Sequence, residues 1–389
     1  MRLQRNFSGL RVFICLAIFV LSGMAFAQTA NNATIDCTGA TPGAFTSISQ
    51  AVFNSPDNTI FTIVSNCNET NIQIQNRSNL SFFANTPVTI TGSPDIQVFT
   101  VNNSRNIRFS GPITVSGGQL GLFIVDSQSI SFFQVTVQNN VTFGIQTKNS
   151  QVQVSNGSVS SNTRTGIVTS GGSLELDGVT VSNNGRLGIS SNTTQLFFID
   201  GNDLPPVVSN NGLAGIQMSN SSASFVDLQI NNNAGNNFGL DAFTNSAVVM
   251  QGGSINGNSG PGVICSSTSH CEFIQMQING NTGGGIQTTF HSELDLDGAV
   301  QITGNQGAGV LVDQHSAFVS SGGNTISSNT GDGLIVNALS TLDFLAPDTI
   351  TATVNNLALN CNNGSLVTGD ISTYKPKKCG TAFQAVPIH

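Results

Sequence analysis

The segment NVTFGI at residues 140–145 returns as NTRTGI at 162–167 and as NGRLGI at 184–189. Ten glycines in this setting, each followed by an aliphatic residue, are separated by 22 to 27 residues, and eight of them follow an asparagine by four positions. The glycines are Gly121, Gly144, Gly166, Gly188, Gly215, Gly239, Gly262, Gly285, Gly309 and Gly333. The asparagines are Asn140, Asn162, Asn184, Asn211, Asn258, Asn281, Asn305 and Asn329. A nearly fixed period of this size indicates a repeat fold.

Between the glycines the sequence is typical of short strands. VQVSNGSVS at 152–160 and SLELDGVTV at 173–181 alternate β-branched and polar residues and are broken by Asn, Gly and Ser. A period near 23 with two or three strands fits one turn of a parallel β-helix, whose equivalent strands lie about 4.8 Å apart. The Leu-x-x-Leu-x-Leu pattern of leucine-rich repeats is absent, and a propeller blade needs about 40 residues. The sequence therefore predicts an all-β solenoid of about 12–13 turns.

This geometry gives each repeated residue a role. The glycine serves either a corner with positive φ or a close approach of two backbones. The aliphatic residue that follows points inward and stacks on its equivalents. The asparagine amides form a column between turns, in which each hydrogen bond contributes roughly 1 kcal/mol net.

The composition and the N-terminus indicate export. Residues 1–27 combine three arginines, an apolar stretch too short to span a bilayer and the cleavage-like Ala25-Phe26-Ala27, which together predict a signal peptide. No later apolar run is long enough for a membrane span. Without the signal, nine basic residues remain against 20 acidic ones, which argues against nucleic acid as a partner. We expect a secreted protein with a lead-in and capping helix at 28–56, a β-helix at 57–356 and a C-terminal cap at 357–389.

Six cysteines remain after the signal, and an exported chain favours disulfides over a metal site. No Cys-x-x-Cys motif occurs. Six cysteines allow about 15 pairings, of which nearest-neighbour pairing is the simplest. It gives Cys37–Cys67, Cys265–Cys271 and Cys361–Cys379.

The stretch Phe45–Val52, predicted as a short amphipathic helix, and Glu69 beyond the next strand resemble the opening of proteins in the pectin lyase-like superfamily. Cys67 stands where that opening usually has a tyrosine. The repeat at 98–340 is similar to the right-handed β-helix repeats of the same superfamily. The resemblance implies a right-handed parallel β-helix with a short N-terminal capping helix. The superfamily ranges from pectate lyases to phage tailspikes, so the resemblance leaves the function open.

The catalytic motifs of these enzymes are missing from the sequence. The Asn-Thr-Asp, Asp-Asp, His-Gly and Arg-Ile-Lys motifs of polygalacturonase-like enzymes do not occur, and no cluster matches the lyase or methylesterase arrangements. Asp200 and Asp203 could offer two carboxylates to Ca²⁺, which takes about six to eight oxygens. We therefore predict no catalytic residue, no metal site and no cofactor.

Residues at equal offset from the glycines should lie side by side, and these columns provide the candidate sites. The candidates for glycan contact are Gln146, Lys148, Arg164, Arg186, Gln217, Asp241, Phe243, Gln287, His291, Asp313 and His315. The arginine pair could hold a uronate carboxylate, or it could be plain surface charge. The histidines could form an acid–base pair with Asp313, or they could be solvated turn residues. Asp295 and Asp297 alternate along one strand and share a face.

The sequence thus favours a non-catalytic extracellular or cell-surface role, either glycan-binding or structural. The alternative is a polysaccharide-active enzyme, a lyase rather than a hydrolase. An enzyme predicts charged side chains converging in one groove with a shifted pKa. A binding protein predicts a polar groove with exposed Phe, and a structural protein predicts a flat polar surface.

Overall fold

The alternating segments form strands that wind into a parallel β-helix of about 13 turns, as the repeat predicts. The computed structural model describes residues 30–201, 204–235, 237–344, 356–368 and 377–379. The predicted signal peptide and Asp203 lie outside the described residues. Most turns contribute one strand to each of three faces, and all strand pairs on the described residues are parallel.

The strands of the first face follow the repeated glycine, those of the second face follow next, and those of the third face complete the turn. The first face contains β4 (Ile72–Gln75), β7 (Phe99–Asn102), β10 (Leu120–Val125), the start of β13 (Phe143–Ser155) and of β15 (Ile167–Asp177), β17 (Leu187–Asn192), β20 (Ala214–Ser219), β23 (Leu240–Phe243), β26 (Val263–Ser266), β29 (Ile286–Thr289), β32 (Val310–Val312), β35 (Leu334–Val336), β37 (Leu359–Cys361) and β39 (Lys377–Cys379). The second face contains β1 (Asn31–Ile35), β2 (Thr59–Ile63), β5 (Ser78–Phe83), β8 (Arg105–Ser110), β11 (Gln128–Phe133), the ends of β13 and β15, β18 (Gln195–Ile199), β21 (Ser222–Val226), β24 (Ala247–Gln251), β27 (His270–Ile274), β30 (Glu293–Asp297), β33 (Ala317–Ser321), β36 (Thr341–Phe344) and β38 (Leu366–Thr368). The third face contains β3 (Cys67–Asn68), β6 (Val88–Thr91), β9 (Ile113–Ser116), β12 (Thr136–Gln138), β14 (Ser158–Ser160), β16 (Thr180–Ser182), β19 (Val207–Ser209), β22 (Gln229–Asn231), β25 (Ser254–Asn256), β28 (Gln277–Asn279), β31 (Gln301–Thr303) and β34 (Thr325–Ser327).

The register places the repeated aliphatic residues side by side on one wall. Ile145 is opposite Ile167, which is opposite Ile189 and then Ile216. All four are fully buried. On the second face the inward column begins with stacked phenylalanines, whose ring centroids lie 4.7–5.1 Å apart. The core is therefore a set of continuous apolar columns, as the predicted coil requires.

A buried column of asparagine amides joins the turns at the corner before the first face. Each Nδ2 donates to the Oδ1 of the next asparagine at 2.9–3.0 Å. The column holds the eight predicted asparagines and also Asn233, which the spacing of four positions missed. Two extra residues separate Asn233 from Gly239, yet its amide occupies the same place. The predicted amide column is confirmed, with one more member.

A second buried column, of hydroxyl groups, lies at the corner between the first and second faces. The Oγ atom of each serine accepts the backbone N–H of its equivalent one turn earlier at 3.1–3.3 Å. The acceptors are Ser127, Ser150, Ser221, Ser246, Ser269, Ser292, Ser316 and Ser340. They stand six or seven positions after the glycines, so the same spacing could have revealed them.

The repeated glycines serve close approach rather than positive φ. Gly144 does not take a left-handed conformation. A Cβ atom there would lie 2.7 Å from Nδ2 of Asn162 and 2.8 Å from the carbonyl oxygen of Gly166. The glycine thus makes room for the amide column and the next turn.

The predicted short helix is present as α1 (Ile48–Asn54), and Glu69 caps its N-terminus. The Ser47 side chain accepts the N–H of Gln50. The Glu69 carboxylate accepts the N–H groups of Ile48 at 2.7 Å and Ser49 at 2.8 Å. Free helix N–H groups favour a negative partner, which gives Glu69 a structural role. The three predicted disulfides are also formed, and no described helix is long and apolar enough to cross a bilayer.

Glu69→Ala is expected to destabilise the first turns by about 1–2 kcal/mol, because two helix N–H groups lose their acceptor. Amide hydrogen exchange over residues 45–53 measures this effect directly. Glu69→Gln is the control, because its carbonyl oxygen keeps one acceptor and should restore part of the protection. Equal exchange in the parent protein and the alanine variant would contradict the capping role.

Candidate functional site

An open groove of about 660 Å³ lies between helix α1 and strand β4. Its lining residues are Ser49, Gln50, Val52, Phe53, Asn54, Asn71, Gln73, Gln75 and Arg77. We call this the α1 groove. Its lining residues are polar except for Phe53 and the buried Val52.

Phe53 projects into solvent because of its place on the helix. Ile48, Ala51 and Val52 occupy the buried face of α1, and the following residue is turned away from that face. Phe53 is 87% exposed, more than any other large hydrophobic side chain on the described residues. A ring this exposed adds little to the core and is available for contact with a ligand.

The strand side of the α1 groove is a row of amides. The Gln73 amide nitrogen donates to Oδ1 of Asn71, and the Gln75 amide nitrogen donates to Oε1 of Gln73 at 2.9 Å. This row leaves the amide NH₂ of Asn71 at one end and the carbonyl oxygen of Gln75 at the other. The α1 groove therefore offers both a donor and an acceptor beside an aromatic ring.

Arg77 holds the end of the α1 groove in place. Its guanidinium pairs with Asp57 at 2.8 Å and donates to the carbonyl oxygens of Val52 and of Ser55 at 2.7 Å. These contacts tie the C-terminal part of α1 to the strands below. The charge of Arg77 is therefore used in fixing the helix.

Gln73 begins an outward column that continues along the first face, which we call the first-face stripe. Its members are Gln73, Thr100, Phe123, Gln146, Val168, Ser190, Gln217, Asp241, Ile264, Gln287, Leu311, Ile335 and Asn360. They point away from the core, yet each is half-buried or buried. Gln287 bends toward the preceding corner and donates to the carbonyl oxygen of Gly283 at 3.4 Å. The stripe thus mixes amides with aliphatic residues in a sheltered row.

Asp241 is the buried carboxyl group of the first-face stripe. It is 8% exposed, and Nε2 of Gln217 on the preceding turn donates to its Oδ2 at 3.3 Å. Ile264 is its register partner on the following turn. Burial raises the pKa of Asp241 to about 6, and the hydrogen bond from Gln217 lowers it only in part.

Four of the predicted site residues, Gln146, Gln217, Asp241 and Gln287, lie in the first-face stripe. Lys148 and Phe243 lie in the neighbouring outward column, two positions further along the same strands. Six strand spacings separate Gln146 from Gln287, or about 29 Å at about 4.8 Å per strand. These residues form a line along the face, in which Gln217 and Asp241 share a hydrogen bond.

The other predicted residues lie at corners. Arg164 and Arg186 are on adjacent turns, where the N–H of Arg186 donates to the carbonyl oxygen of Arg164 at 2.8 Å. The rings of His291 and His315 are stacked 5.1 Å apart. Asp313 follows the end of β32 and accepts the N–H of Gln314 at 2.8 Å. Their roles in binding stay predictions.

Sequence reasoning missed the α1 groove. Phe53 falls off the apolar face set by residues 45, 48 and 52, which was the available signal for an exposed ring. The alternation Asn71-Ile72-Gln73-Ile74-Gln75 also marks an outward amide row. What the sequence does not contain is the position of α1 over β4.

Charge is distributed unevenly along the coil. The sequence has no lysine or arginine between Arg186 and Lys375, while that stretch carries 13 acidic residues. Apart from Lys377 and Lys378 in β39, the positive side chains of the described turns therefore belong to the N-terminal half, where the α1 groove lies. An anionic ligand would be repelled by the C-terminal half.

Solved structures with a similar fold include a pectate lyase, which is 13% identical, with coverage of 84% of this chain and 79% of that chain and a TM-score of 0.44. The catalytic domain of an α-1,3-glucanase is 12% identical over 91% and 69% of the two chains, with a TM-score of 0.42. A surface adhesin of Streptococcus pneumoniae is 11% identical over 81% and 85%, with a TM-score of 0.36. These are likenesses of fold, and nothing about the site follows from them.

No curated protein sequence matches this chain at a significant level. Residues 165–345 match the family described as right handed beta helix region. Within that match the strands pair in parallel register and the amide column continues from Asn184 to Asn329. The chain is a parallel β-helix protein, and its residues 165–345 match the right-handed type.

Proposed function

We propose that this protein is an exported, non-catalytic glycan-binding protein whose binding surface is the α1 groove and the adjoining first-face stripe. The observation that carries the proposal is the exposed ring of Phe53 beside the amide row of Asn71, Gln73 and Gln75. A sugar ring has an apolar C–H face and a polar rim of hydroxyl groups. An aromatic ring suits the first, and fixed amides suit the second.

The first-face stripe extends this surface along the coil. Its successive members, one residue per turn, are Phe123, Gln146, Val168, Ser190, Gln217, Asp241, Ile264 and Gln287. A chain of sugars lying along the axis would meet both amides and apolar side chains along this row. Three disulfides support an oxidising, extracellular location.

A polysaccharide-active enzyme is the second candidate, and Asp241 is the observation that favours it. A carboxyl group with a pKa of about 6 is suited to proton transfer near neutral pH. Its register neighbours, however, are Gln217 and Ile264. A glycosidase places a second carboxyl group on the other side of the glycosidic bond that it cleaves, and neither register neighbour of Asp241 supplies one.

Binding can be tested by affinity electrophoresis of the purified protein in gels that contain one polysaccharide each, both neutral glycans and polyuronates. Phe53→Ala should weaken retardation by at least tenfold in the gel that retards the parent protein, because the stacking platform is removed. Gln217→Ala/Gln287→Ala tests the first-face stripe. The matched controls are on the second face: Phe197→Ala, at a ring 38% exposed, and Gln195→Ala/Gln251→Ala, at exposed glutamines.

The outcomes separate the candidate functions. No retardation by any polysaccharide, or an equal loss in the second-face controls, would contradict glycan binding and favour a structural role. The ultraviolet absorbance of unsaturated products should stay flat with every polysaccharide. Turnover that Asp241→Asn abolishes while binding persists would instead establish the enzyme.

A further inference from the structure

A cluster of titratable side chains lies on the second face, away from the α1 groove. Strand β27 turns His270 and Glu272 outward, and strand β30 turns Glu293, Asp295 and Asp297 outward, while the residues between them are buried. The register sets His270 beside Glu293 and Glu272 beside Asp295. Five titratable groups thus meet on two adjacent turns.

The three central groups are within reach of a single ion. Nδ1 of His270 is 3.4 Å from Oε2 of Glu293, and Nε2 of His270 is 3.9 Å from Oδ2 of Asp295. One imidazole nitrogen and one oxygen from each carboxylate lie within 4.8 Å of one another. A four-coordinate ion with bonds of about 2.0–2.2 Å holds its ligand atoms about 3.4 Å apart. Small rotations of these half-exposed side chains would close that difference.

One carboxylate oxygen of Asp295 has no hydrogen-bond partner. Its Oδ1 atom is buried and accepts no hydrogen bond. In the register, Val249 precedes Glu272 and Val319 follows Asp295, so apolar residues flank the pair on both sides. A buried acceptor without a partner is unfavourable, and a bound cation would supply the missing partner.

No fixed positive charge balances these carboxylates. Strands β24, β27, β30 and β33 contain no lysine or arginine, and the nearest in sequence are Arg186 and Lys375. Like charges on neighbouring strands repel each other. As a purely structural arrangement, four carboxylates around one imidazole would weaken the pairing of β27 with β30.

We propose that His270, Glu293 and Asp295 bind a divalent transition-metal ion, with Zn²⁺ as the best-matched ion. An imidazole favours Zn²⁺ over Ca²⁺ or Mg²⁺, which take oxygen ligands. Two carboxylates and one imidazole leave a fourth position for water. The Cys265–Cys271 disulfide anchors the start of β27 beside the ligand His270. The ion would join two turns that their side-chain charges push apart.

Titration calorimetry of untagged protein with ZnCl₂ at pH 7.5 tests this site. The parent protein should bind one equivalent, and its Tm should rise with Zn²⁺ because the ion binds the folded chain. His270→Gln, Glu293→Gln and Asp295→Asn should each weaken binding by at least tenfold. The matched control is His291→Gln/His315→Gln, which removes a stacked histidine pair that could also attract Zn²⁺ and should leave binding unchanged.

Each result decides the proposal. Circular dichroism of the variants separates loss of the site from loss of the fold, and three independent substitutions guard against one misfolded variant. Absence of Zn²⁺ binding by the parent protein would overturn the site. So would retention of full affinity by Asp295→Asn and Glu293→Gln, or loss of binding in the His291/His315 variant. Tighter binding of CaCl₂ than of ZnCl₂ would contradict a role for the imidazole.

Discussion

Replacing Asn211 with alanine is expected to lower the free energy of unfolding by about 4 kcal/mol, because its amide makes four buried hydrogen bonds. Oδ1 of Asn211 accepts the backbone N–H and the Nδ2 of Asn184. Nδ2 of Asn211 donates to Oδ1 of Asn233 and to the carbonyl oxygen of Val181. Each hydrogen bond contributes about 1 kcal/mol net, and each partner group left buried without a hydrogen bond adds a further cost.

The measurement is urea unfolding followed by circular dichroism, with Asn192→Ala as the matched control. Asn192 is an asparagine at an exposed outward position of β17, so its replacement should change stability by less than about 0.5 kcal/mol. Equal midpoints for the two variants would mean that the amide column is not a source of stability. Asn211→Asp adds a check, because a carboxylate lacks the NH₂ donor and should also destabilise the coil.

The sequence predicted this column because one amide per turn follows directly from the repeat. The fixed offset from glycine identified eight members, while Asn233 escaped because its corner is two residues longer. In the structure Asn233 still lies between Asn211 and Asn258 and forms hydrogen bonds with both. The coil tolerates a longer corner as long as the amide returns to the same place. Hydrogen bonding between turns, rather than sequence spacing, thus defines the column.

The site was harder to predict, because in a solenoid the residues that lie side by side on a face come from different turns and are far apart in sequence. Equal offsets correctly placed Gln217 beside Asp241, since both stand two positions after a glycine. The α1 groove depends on how α1 packs over β4, and no periodicity encodes that packing. His270 and Glu293 are 23 residues apart, close to the repeat period, so column reasoning extended to the second face would have found them.

The α1 groove and the proposed metal site lie in opposite halves of the coil. The N-terminal half carries the arginines, the exposed Phe53 and the amide row. The half beyond Arg186 carries 13 carboxylates without a lysine or arginine up to Lys375. A glycan with hydroxyl groups, or one with carboxylates, fits the first half better, and a cation fits the second. This asymmetry of charge can be counted in the sequence, but only the coil shows which turns carry it.

Asp241→Asn is expected to stabilise the protein above pH 6 by about 3 kcal/mol relative to its effect at pH 4. The folded-state pKa of Asp241 is about 6, against about 3.9 for an unfolded aspartate. Between these values the folded chain binds more protons than the unfolded chain, so stability falls as pH rises. Below pH 4, Asp241 is largely protonated in both the folded and the unfolded state, so it changes the free energy of unfolding little. Above pH 6 the folded state carries a buried charge, which asparagine removes.

The difference in unfolding free energy between parent and variant should therefore grow from pH 4 to about pH 6.5 and then stay level. Urea unfolding at several pH values measures it, and taking the difference cancels the titration of all other groups that the substitution leaves unchanged. Asp95→Asn, at an exposed position, controls for the loss of one negative charge. A pH-independent difference for Asp241→Asn would mean that water reaches this carboxyl group freely, and the case for a proton-transferring site on the first-face stripe would fail with it.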